Sequence, residues 1–241
     1  MRDIDKYQSD YLENPFEKEL LSFRHDKACE SLLKYKAKYV LEVGCGMKPL
    51  FDYFSNFDYL SIVEPSQIFY SNAHTSKPDK VEVFKAFFNN EFIINLDRKY
   101  DFVVISSLLH ELENPKEILL AAKKILTEGG TIHINVPNAK SIHRILAQRM
   151  GLIQDLYEKS ERQVQYQQAS TYDMDSLRRL VMDCGLKEKD SGTLFIKPFT
   201  HRQMQKMLDE KIIDQAVLDG LDKLVFDLPG KGAEIYMNVG L

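Results

Sequence analysis

The chain has 241 residues, of which 44% are hydrophobic and 28% are charged, and its formal net charge is −4. These proportions are those of an ordinary globular protein, and the mild acidity gives no general attraction to nucleic acid or to anionic lipid. The three cysteines include no C-x-x-C pair, which argues against a disulfide framework or a zinc site. The charged first residues and the short apolar runs predict a cytoplasmic protein without a signal peptide or membrane span.

Strand-like and helix-like segments alternate from residue 20 to about residue 138, which is the pattern of a parallel α/β sheet. A first amphipathic helix is predicted over 15–35. Another is predicted over 114–126, where Asn114-Pro115 and Gly129-Gly130 supply start and stop signals. The predicted strands are the apolar runs YVLEVG (39–44), YLSIVE (59–64), VEVFKA (81–86), YDFVVISS (100–107) and TIHINVP (131–137).

The alternation is interrupted after Asn138. The stretch 141–170 is helical in propensity but polar, and it is followed by segments that resume the earlier pattern. These are a helix over 173–185, a strand near 192–198, helix around 200–225 and a last strand over 232–241. Because no repeat or low-complexity linker divides the chain, we predict a single domain over 1–241. Its N-terminal cap would be 1–38, and 139–172 would be an inserted lid.

Two glycines, Gly44 and Gly46, follow the first predicted strand. A parallel sheet binds ligands beyond the carboxyl ends of its strands, and a missing Cβ lets a ligand approach the backbone. Pro49 is placed as the first residue of a following helix. The glycines alone are also compatible with a plain strand-to-helix turn.

Two acids, Glu42 and Glu64, lie at the ends of the first two strands. A strand carboxylate is costly to bury unless a cation or hydrogen-bond donors meet it. Acids at neighbouring strand ends therefore predict a ligand with a positive or donor-rich end and a vicinal diol, and they would repel phosphate. A solvated strand end remains an alternative for Glu64.

The motifs VLEVGCG, IVEPS and YDFVVISSLLHEL resemble, in order and spacing, those of class I S-adenosylmethionine-dependent methyltransferases. The resemblance extends through GGTIHINVPN and DMDSLRRLVMDCGL and covers about residues 20–240. It is closest to the ubiquinone-type methyltransferase 11/12/23 group. NAKSIHRILAQRMG and GTLFIKPFTHRQM are similar to members linked to bacterial surface-polysaccharide and capsule genes.

This resemblance implies an α/β, Rossmann-like sheet of seven mostly parallel strands with an antiparallel last strand. Helices would cover both faces, and a helical insertion would follow the fifth strand. The implied cofactor is S-adenosylmethionine, which becomes S-adenosylhomocysteine when it gives up its methyl group.

The resemblance also assigns roles to individual residues. Glu42, Gly44 and Gly46 would lie beneath the methionine part of the cofactor, and Glu64 would accept both ribose hydroxyls. The remaining implied contacts are with adenine (Phe87, Phe88), with the region of the sulfonium (Ser106, Ser107, Leu108) and with the cofactor's outer side and carboxylate (Tyr11, Arg24).

The chain departs from the family pattern at two positions. Relatives often have an acid near the adenine, where this chain has Phe followed by Asn89. They also often have a third glycine where this chain has Lys48. An NAD-dependent dehydrogenase is an alternative, because Glu64 lies 20 residues after Gly44, but its G-x-G-x-x-G motif would need glycine where Pro49 stands. A non-catalytic cofactor-binding module is a further alternative.

Methyl transfer to a hydroxyl needs a base, and His110 and His143 are the predicted catalytic residues. His133 alternates with apolar residues in its strand and is predicted to be a core histidine. The insertion would bind the acceptor through Arg144, Tyr166 and Tyr172. We therefore predict O-methylation of a small polar acceptor, such as a sugar or surface-glycan precursor, by a monomer or homodimer that binds neither nucleic acid nor membrane.

Overall fold

The computed structural model of the protein describes residues 15–159, 163–164 and 168–241. Two of the predicted site residues, Tyr11 and Tyr166, lie outside the described residues. Within the described part, no helix combines the length and the apolar character that crossing a bilayer requires.

Seven strands form one sheet in the order β3-β2-β1-β4-β5-β7-β6. All neighbouring pairs are parallel except the two that β7 makes with β5 and β6. The predicted fold class is therefore confirmed, including the antiparallel last strand. The strands are β1 (Tyr39–Val43), β2 (Tyr59–Val63), β3 (Val81–Phe84), β4 (Tyr100–Ser106), β5 (Leu126–Pro137), β6 (Lys187–Leu194) and β7 (Glu234–Gly240).

Helices connect the strands, and short 3-10 turns occur at Leu50–Asp52, Leu109–Glu111 and Leu224–Phe226. The helix predicted over 114–126 is observed at nearly the same bounds, and the first predicted helix is observed as α1. The helices of the described residues are α1 (Glu17–Lys34), α2 (Gln67–Ser76), α3 (Asn90–Ile94), α4 (Pro115–Ile125), α5 (Ile142–Arg149), α6 (Met174–Asp183), α7 (His201–Asp209) and α8 (Gln215–Lys223).

The sheet is covered on both faces because its central strands are apolar on both sides. In β4, Val103 and Ile105 belong to the core shared with α4 and α6. Their neighbours Phe102 and Val104 belong to the core shared with α1 and α2. The buried acids of this apolar sheet lie at strand ends: Glu42 in β1, Glu64 after β2 and Glu234 at the start of β7.

The segment after β1 differs from the prediction. Pro49 does not begin an α-helix; its backbone is extended (φ −62°, ψ 153°), and it precedes the single 3-10 turn Leu50–Asp52. The physical reason lies in Glu42, whose carboxyl group accepts the Leu50 N–H at 2.9 Å. The first amide of the turn is thus held by a side chain from inside the strand.

The sixth strand also differs, since it spans Lys187–Leu194 instead of 192–198. It is an edge strand, so Lys187, Glu188 and Lys189 are exposed while its backbone pairs with β7. Phe195 takes a left-handed conformation (φ 52°) and ends the strand, although the apolar run continues into Ile196. The helix predicted around 200–225 is divided into α7 and α8.

The strand order reverses between β1 and β4, because β1 connects onward to β2 on one side of the sheet and β4 to β5 on the other. The loops that follow β1 and β4 therefore leave toward different halves of the sheet and open a crevice at their carboxyl ends. This crevice is where the glycine turn lies.

Candidate active site

A cavity of about 420 Å³ lies at the carboxyl ends of β1, β2 and β4. It brings together every predicted cofactor residue that the structure describes. These lining residues are Arg24, Glu42, Gly44, Gly46, Glu64, Phe87, Phe88, Ser106, Ser107 and Leu108.

The glycine turn forms the floor of the cavity. Gly44 and Gly46 both have left-handed backbones, with φ of 78° and 57°. No atom lies within 4 Å of the position that a Cβ would take at either glycine. The glycines are therefore required by the backbone conformation, and they leave the main chain open to a ligand.

Glu64 is anchored at the end of β2 by the backbone. One carboxylate oxygen accepts the N–H of Ser66 at 2.8 Å, and the other accepts the N–H of Cys45 at 3.0 Å and of Gly46 at 3.4 Å. Burial raises the pKa of Glu64. Because carboxylate oxygens have about four lone-pair sites, this fixed group can also accept ligand hydroxyls.

Glu42 is buried in β1 beneath the glycine turn. Burial raises its pKa to about 8, and the neighbouring charge of Glu64 acts in the same direction. The raised pKa favours the protonated form of Glu42, which can donate as well as accept a hydrogen bond.

The end of β4 carries a conformational outlier. Ser107 has a left-handed backbone (φ 55°), which is uncommon for a residue with a Cβ, and its N–H donates to Asn135 O at 2.9 Å. Ser107 lines the cavity together with Ser106 and Leu108. Unfavourable backbone conformations of this kind concentrate at functional sites.

One face of α1 closes the cavity on another side. Leu21, Arg24, His25 and Ala28 line it, a spacing that places all four on the same side of a helix. Arg24 is buried and forms ion pairs with Glu17 and with Glu234. The 3–4-residue spacing of these four residues makes the whole face predictable from the sequence, although only Arg24 was predicted to contact the cofactor.

His25 and Tyr53 are further lining residues that sequence reasoning missed. Their rings stack with centroids 3.6 Å apart and an interplanar angle of 9°. Burial lowers the pKa of His25 to about 3, helped by the charges of Arg24 and Lys48. His25 is therefore a neutral aromatic wall at physiological pH.

His110 is buried in the 3-10 turn after β4, and it is the adjacent Glu111 that lines the cavity. His110 Nε2 lies 3.9 Å from Glu111 Oε1. The carbonyl oxygen of His110 accepts the N–H groups of Ala169 and Ser170 at 2.9 and 3.0 Å. This turn therefore holds the end of the insertion against the site.

The predicted acceptor-binding residues have structural contacts away from the cavity. Arg144 donates hydrogen bonds to Leu156 O (2.9 Å), Glu158 O (2.5 Å) and Gln163 Oε1 (3.1 Å). Tyr172 is buried in the core and forms an isolated bridge with Asn138. The cavity formed by the described residues is not lined by Arg144 or Tyr172. It is not lined by His143 either, which is half-buried on α5.

The cavity fits S-adenosylmethionine. The open glycine turn, the fixed carboxylate of Glu64 and the rings of Phe87 and Phe88 are groups suited to an amino-acid tail, a vicinal diol and a flat base, respectively. Asn89 is occupied elsewhere, because its side chain accepts the Phe92 N–H at 2.9 Å and caps α3. Among the described residues, no group of three or more His, Cys, Asp or Glu side chains could hold a metal ion.

Comparison with known proteins gives one family match: residues 20–188 match the family described as "Methyltransferase domain". No curated protein is significantly similar to the chain.

Several solved structures share the fold. The plantazolicin methyltransferase BamL is 18% identical, with a TM-score of 0.61 over 93% of this chain and 86% of that one. A chain from the complex between the Haloferax volcanii Trm112 methyltransferase activator and the putative methyltransferase is 14% identical, with a TM-score of 0.60 over 100% and 98%. Magnesium protoporphyrin IX methyltransferase from Synechocystis is 10% identical, with a TM-score of 0.56 over 89% and 80%.

The family match spans most of the chain and includes the glycine turn, Glu64 and the end of β4. It decides against the dehydrogenase. The chain belongs to the methyltransferase domain family and is a class I S-adenosylmethionine-dependent methyltransferase.

Proposed function

We propose that this enzyme methylates a hydroxyl group of a small, neutral, polar acceptor such as a sugar of a surface-glycan precursor. The observation that carries the proposal is Glu111, a carboxylate on the cavity wall directly after β4, with His110 Nε2 3.9 Å away. A hydroxyl must lose its proton as it is methylated, and these two groups are proton acceptors beside the cofactor cavity.

The cofactor supplies a methyl group that is already activated on its sulfonium. The protein's part is therefore to bind, to orient and to take up a proton. The glycine turn lies beneath the methionine part of the cofactor, Glu64 holds the ribose, and the strained backbone at Ser107 orients the reacting region. Glu111 accepts the proton of the hydroxyl and becomes a neutral carboxylic acid, and the buried His110 packs beside it, with Nε2 3.9 Å from Glu111 Oε1.

The charges around the cavity support a neutral acceptor over a phosphorylated one. Glu111 and Glu113 are acidic, and Arg24 is the one arginine or lysine among the described lining residues. The family resemblance assigns Arg24 to the cofactor's own carboxylate, which leaves no cation of the described lining for a phosphorylated acceptor. Arg144, which the sequence analysis assigned to the acceptor, instead donates hydrogen bonds within the insertion.

The sugar assignment rests on the resemblance to surface-polysaccharide methyltransferases. The fold by itself does not select an acceptor, since the solved relatives include a plantazolicin methyltransferase and a magnesium protoporphyrin IX methyltransferase. His143 stays in the proposal as a second base, placed on α5 at the start of the insertion.

The acceptor is tested by incubating the enzyme with methyl-labelled cofactor and matched panels of neutral glycosides, sugar phosphates, nucleotide sugars and amines. We expect label in the neutral hydroxyl panel. Label confined to amines or to phosphorylated acceptors would contradict the proposal.

The base is tested with Glu111→Gln, which keeps the size of the side chain and removes its basicity. With an acceptor in hand, kcat should fall about 100-fold or more, while the Kd for S-adenosylhomocysteine stays the same. Glu117→Gln, an exposed change on α4, is the matched control. The variants His110→Gln and His143→Gln, measured in the same way, compare how much each histidine contributes to kcat. An unchanged kcat in Glu111→Gln would show that Glu111 is not the base.

The cofactor site is tested with Glu64→Ala. The variant removes the ribose acceptor and leaves the backbone N–H groups of Cys45 and Ser66 without their carboxylate partner. The Kd for S-adenosylhomocysteine should rise about 100-fold, since hydrogen bonds to a charged group contribute about 1.5–3 kcal/mol each. Calorimetry measures this, and thermal unfolding without ligand separates it from a loss of folding.

A further inference from the structure

A buried arginine joins α1 to the sheet beside the cofactor cavity. Arg24 is 3% exposed and lines the cavity. One terminal nitrogen pairs with Glu17, and the other, Nη1, lies 2.6 Å from Glu234 Oε1. We call these three residues the arginine clasp.

The two carboxylates of the clasp hold Arg24 to different parts of the molecule. Glu17 lies on α1 with Arg24, so this pair moves with the helix. Glu234 is the first residue of β7 and is paired with Pro137, the last residue of β5. Because β7 is antiparallel, its first residue reaches the same edge of the sheet as the glycine turn. Glu234 therefore fixes the guanidinium relative to the sheet.

We propose that Glu234 is a positioning residue, which holds Arg24 so that its charge meets the carboxylate of the amino-acid part of S-adenosylmethionine. The inference rests on the proposed cofactor role of Arg24. An anionic group in this cavity has Arg24 as its one arginine or lysine partner among the described lining residues. A long side chain that is already held in one conformation loses less entropy when it binds a ligand.

The charge of Glu234 is also what makes a buried guanidinium tolerable. Both side chains of the pair are almost fully buried, with 3% and 7% exposure. A buried charge that loses its partner is strongly destabilised. Without Glu234, Arg24 would turn toward Glu17 and solvent and away from its place over the cavity.

The test compares two ligands that differ only in the part Arg24 recognises. S-adenosylhomocysteine carries the amino-acid group, whereas 5′-methylthioadenosine has the same nucleoside thioether without it. In Glu234→Gln the Kd for S-adenosylhomocysteine should rise about tenfold, while the Kd for 5′-methylthioadenosine stays the same. In Arg24→Lys combined with Glu234→Gln, the loss should be no larger than in Arg24→Lys alone.

Glu188→Gln is the matched control, because Glu188 forms a pair with Arg178 at the same 2.6 Å on the neighbouring strand, away from the cavity. It should change neither Kd. Glu234→Asp keeps the charge but shortens the side chain by one methylene. The Kd for S-adenosylhomocysteine should rise less than in Glu234→Gln, again with no change in the Kd for 5′-methylthioadenosine. This second variant serves if Glu234→Gln does not fold.

Equal losses for both ligands would mean that Glu234 maintains the cavity as a whole, and that result overturns the inference. No loss for either ligand overturns it as well. Failure of the wild-type protein to bind S-adenosylhomocysteine would count instead against the cofactor site itself, so the two failures are distinguishable.

Discussion

Glu42 shows how the fold changes the chemistry of a single side chain. Its pKa rises from the ordinary 4.5 to about 8, chiefly because it is buried. Between these values the folded protein holds one proton more than the unfolded chain. The stability that this group contributes is therefore complete below pH 4.5 and is lost as the pH rises through 8, by up to about 1.4 kcal/mol per pH unit.

Glu42→Gln removes this titration and keeps an oxygen for the Leu50 N–H. The free energy of unfolding of the variant, relative to wild type, should rise between pH 5 and pH 8. Urea unfolding of both proteins at pH 5 and pH 8 measures this difference in free energy. The other titrating groups are common to the two proteins, so their contributions cancel. Parallel pH profiles for the two proteins would show that Glu42 is ionised in the fold.

The residues of the cofactor turn were predictable because their signals are local. Gly44 and Gly46 are needed by backbone conformation, and Glu64 is an acid where an apolar strand ends. Which of His110 and Glu111 faces the cavity was not predictable. A single 3-10 turn decides it, and sequence periodicity does not reveal such a turn.

At the scale of elements, the insertion depends on Arg144, whose three hydrogen bonds join α5 to Leu156, Glu158 and Gln163. Arg144→Ala should speed proteolytic cleavage between residues 150 and 159 several-fold and leave the Kd for S-adenosylhomocysteine unchanged. Limited proteolysis with mass spectrometry measures the cleavage rate. The exposed Arg149, at the end of the same helix, gives the control Arg149→Ala. Equal cleavage rates in both variants would contradict a structural role for Arg144.

The elements themselves were predictable where both faces of a strand are buried. β1, β2 and β4 read as apolar runs for this reason, and so does the second half of β5. β5 begins five residues before the predicted 131, because the strand also includes the partly exposed stretch from Leu126 to Gly130. β6 does not read as an apolar run, because half of its residues are charged and its pairing with β7 supplies the stability that apolar contacts provide elsewhere. The apolar residues Phe195 and Ile196 are buried beyond its end, so hydrophobicity alone misplaced the strand.

At the scale of the whole molecule, His133 lies within a polar network between α1 and the sheet. His133 Nδ1 and Asn238 Oδ1 are 2.8 Å apart, and Asn238 donates to Ser31 Oγ (3.0 Å) and Asp190 Oδ1 (2.9 Å). This is the core histidine that the alternation in β5 predicted. Burial lowers the pKa of His133 from 6.5 to about 4.

This shift makes the whole fold sensitive to acid. As the pH falls below 6.5, His133 becomes protonated in the unfolded chain but stays neutral in the folded protein until about pH 4. The free energy of unfolding therefore falls by up to about 1.4 kcal/mol per pH unit in this range. Urea unfolding at pH 7 and pH 5 should show a larger loss for wild type than for His133→Gln. Equal losses would mean that His133 is protonated in the folded protein.

Because β7 is antiparallel, the contact between Arg24 and Glu234 joins the first helix of the described residues to the last strand. Arg24 and Glu234 are separated by 210 positions along the chain. While a ribosome is still making the intervening strands, the early helix has no sheet-borne counter-ion to receive its guanidinium. Under the proposed role of Glu234, tight capture of the amino-acid tail therefore requires the last strand to be in place, so the first helix and the last strand complete this part of the site together.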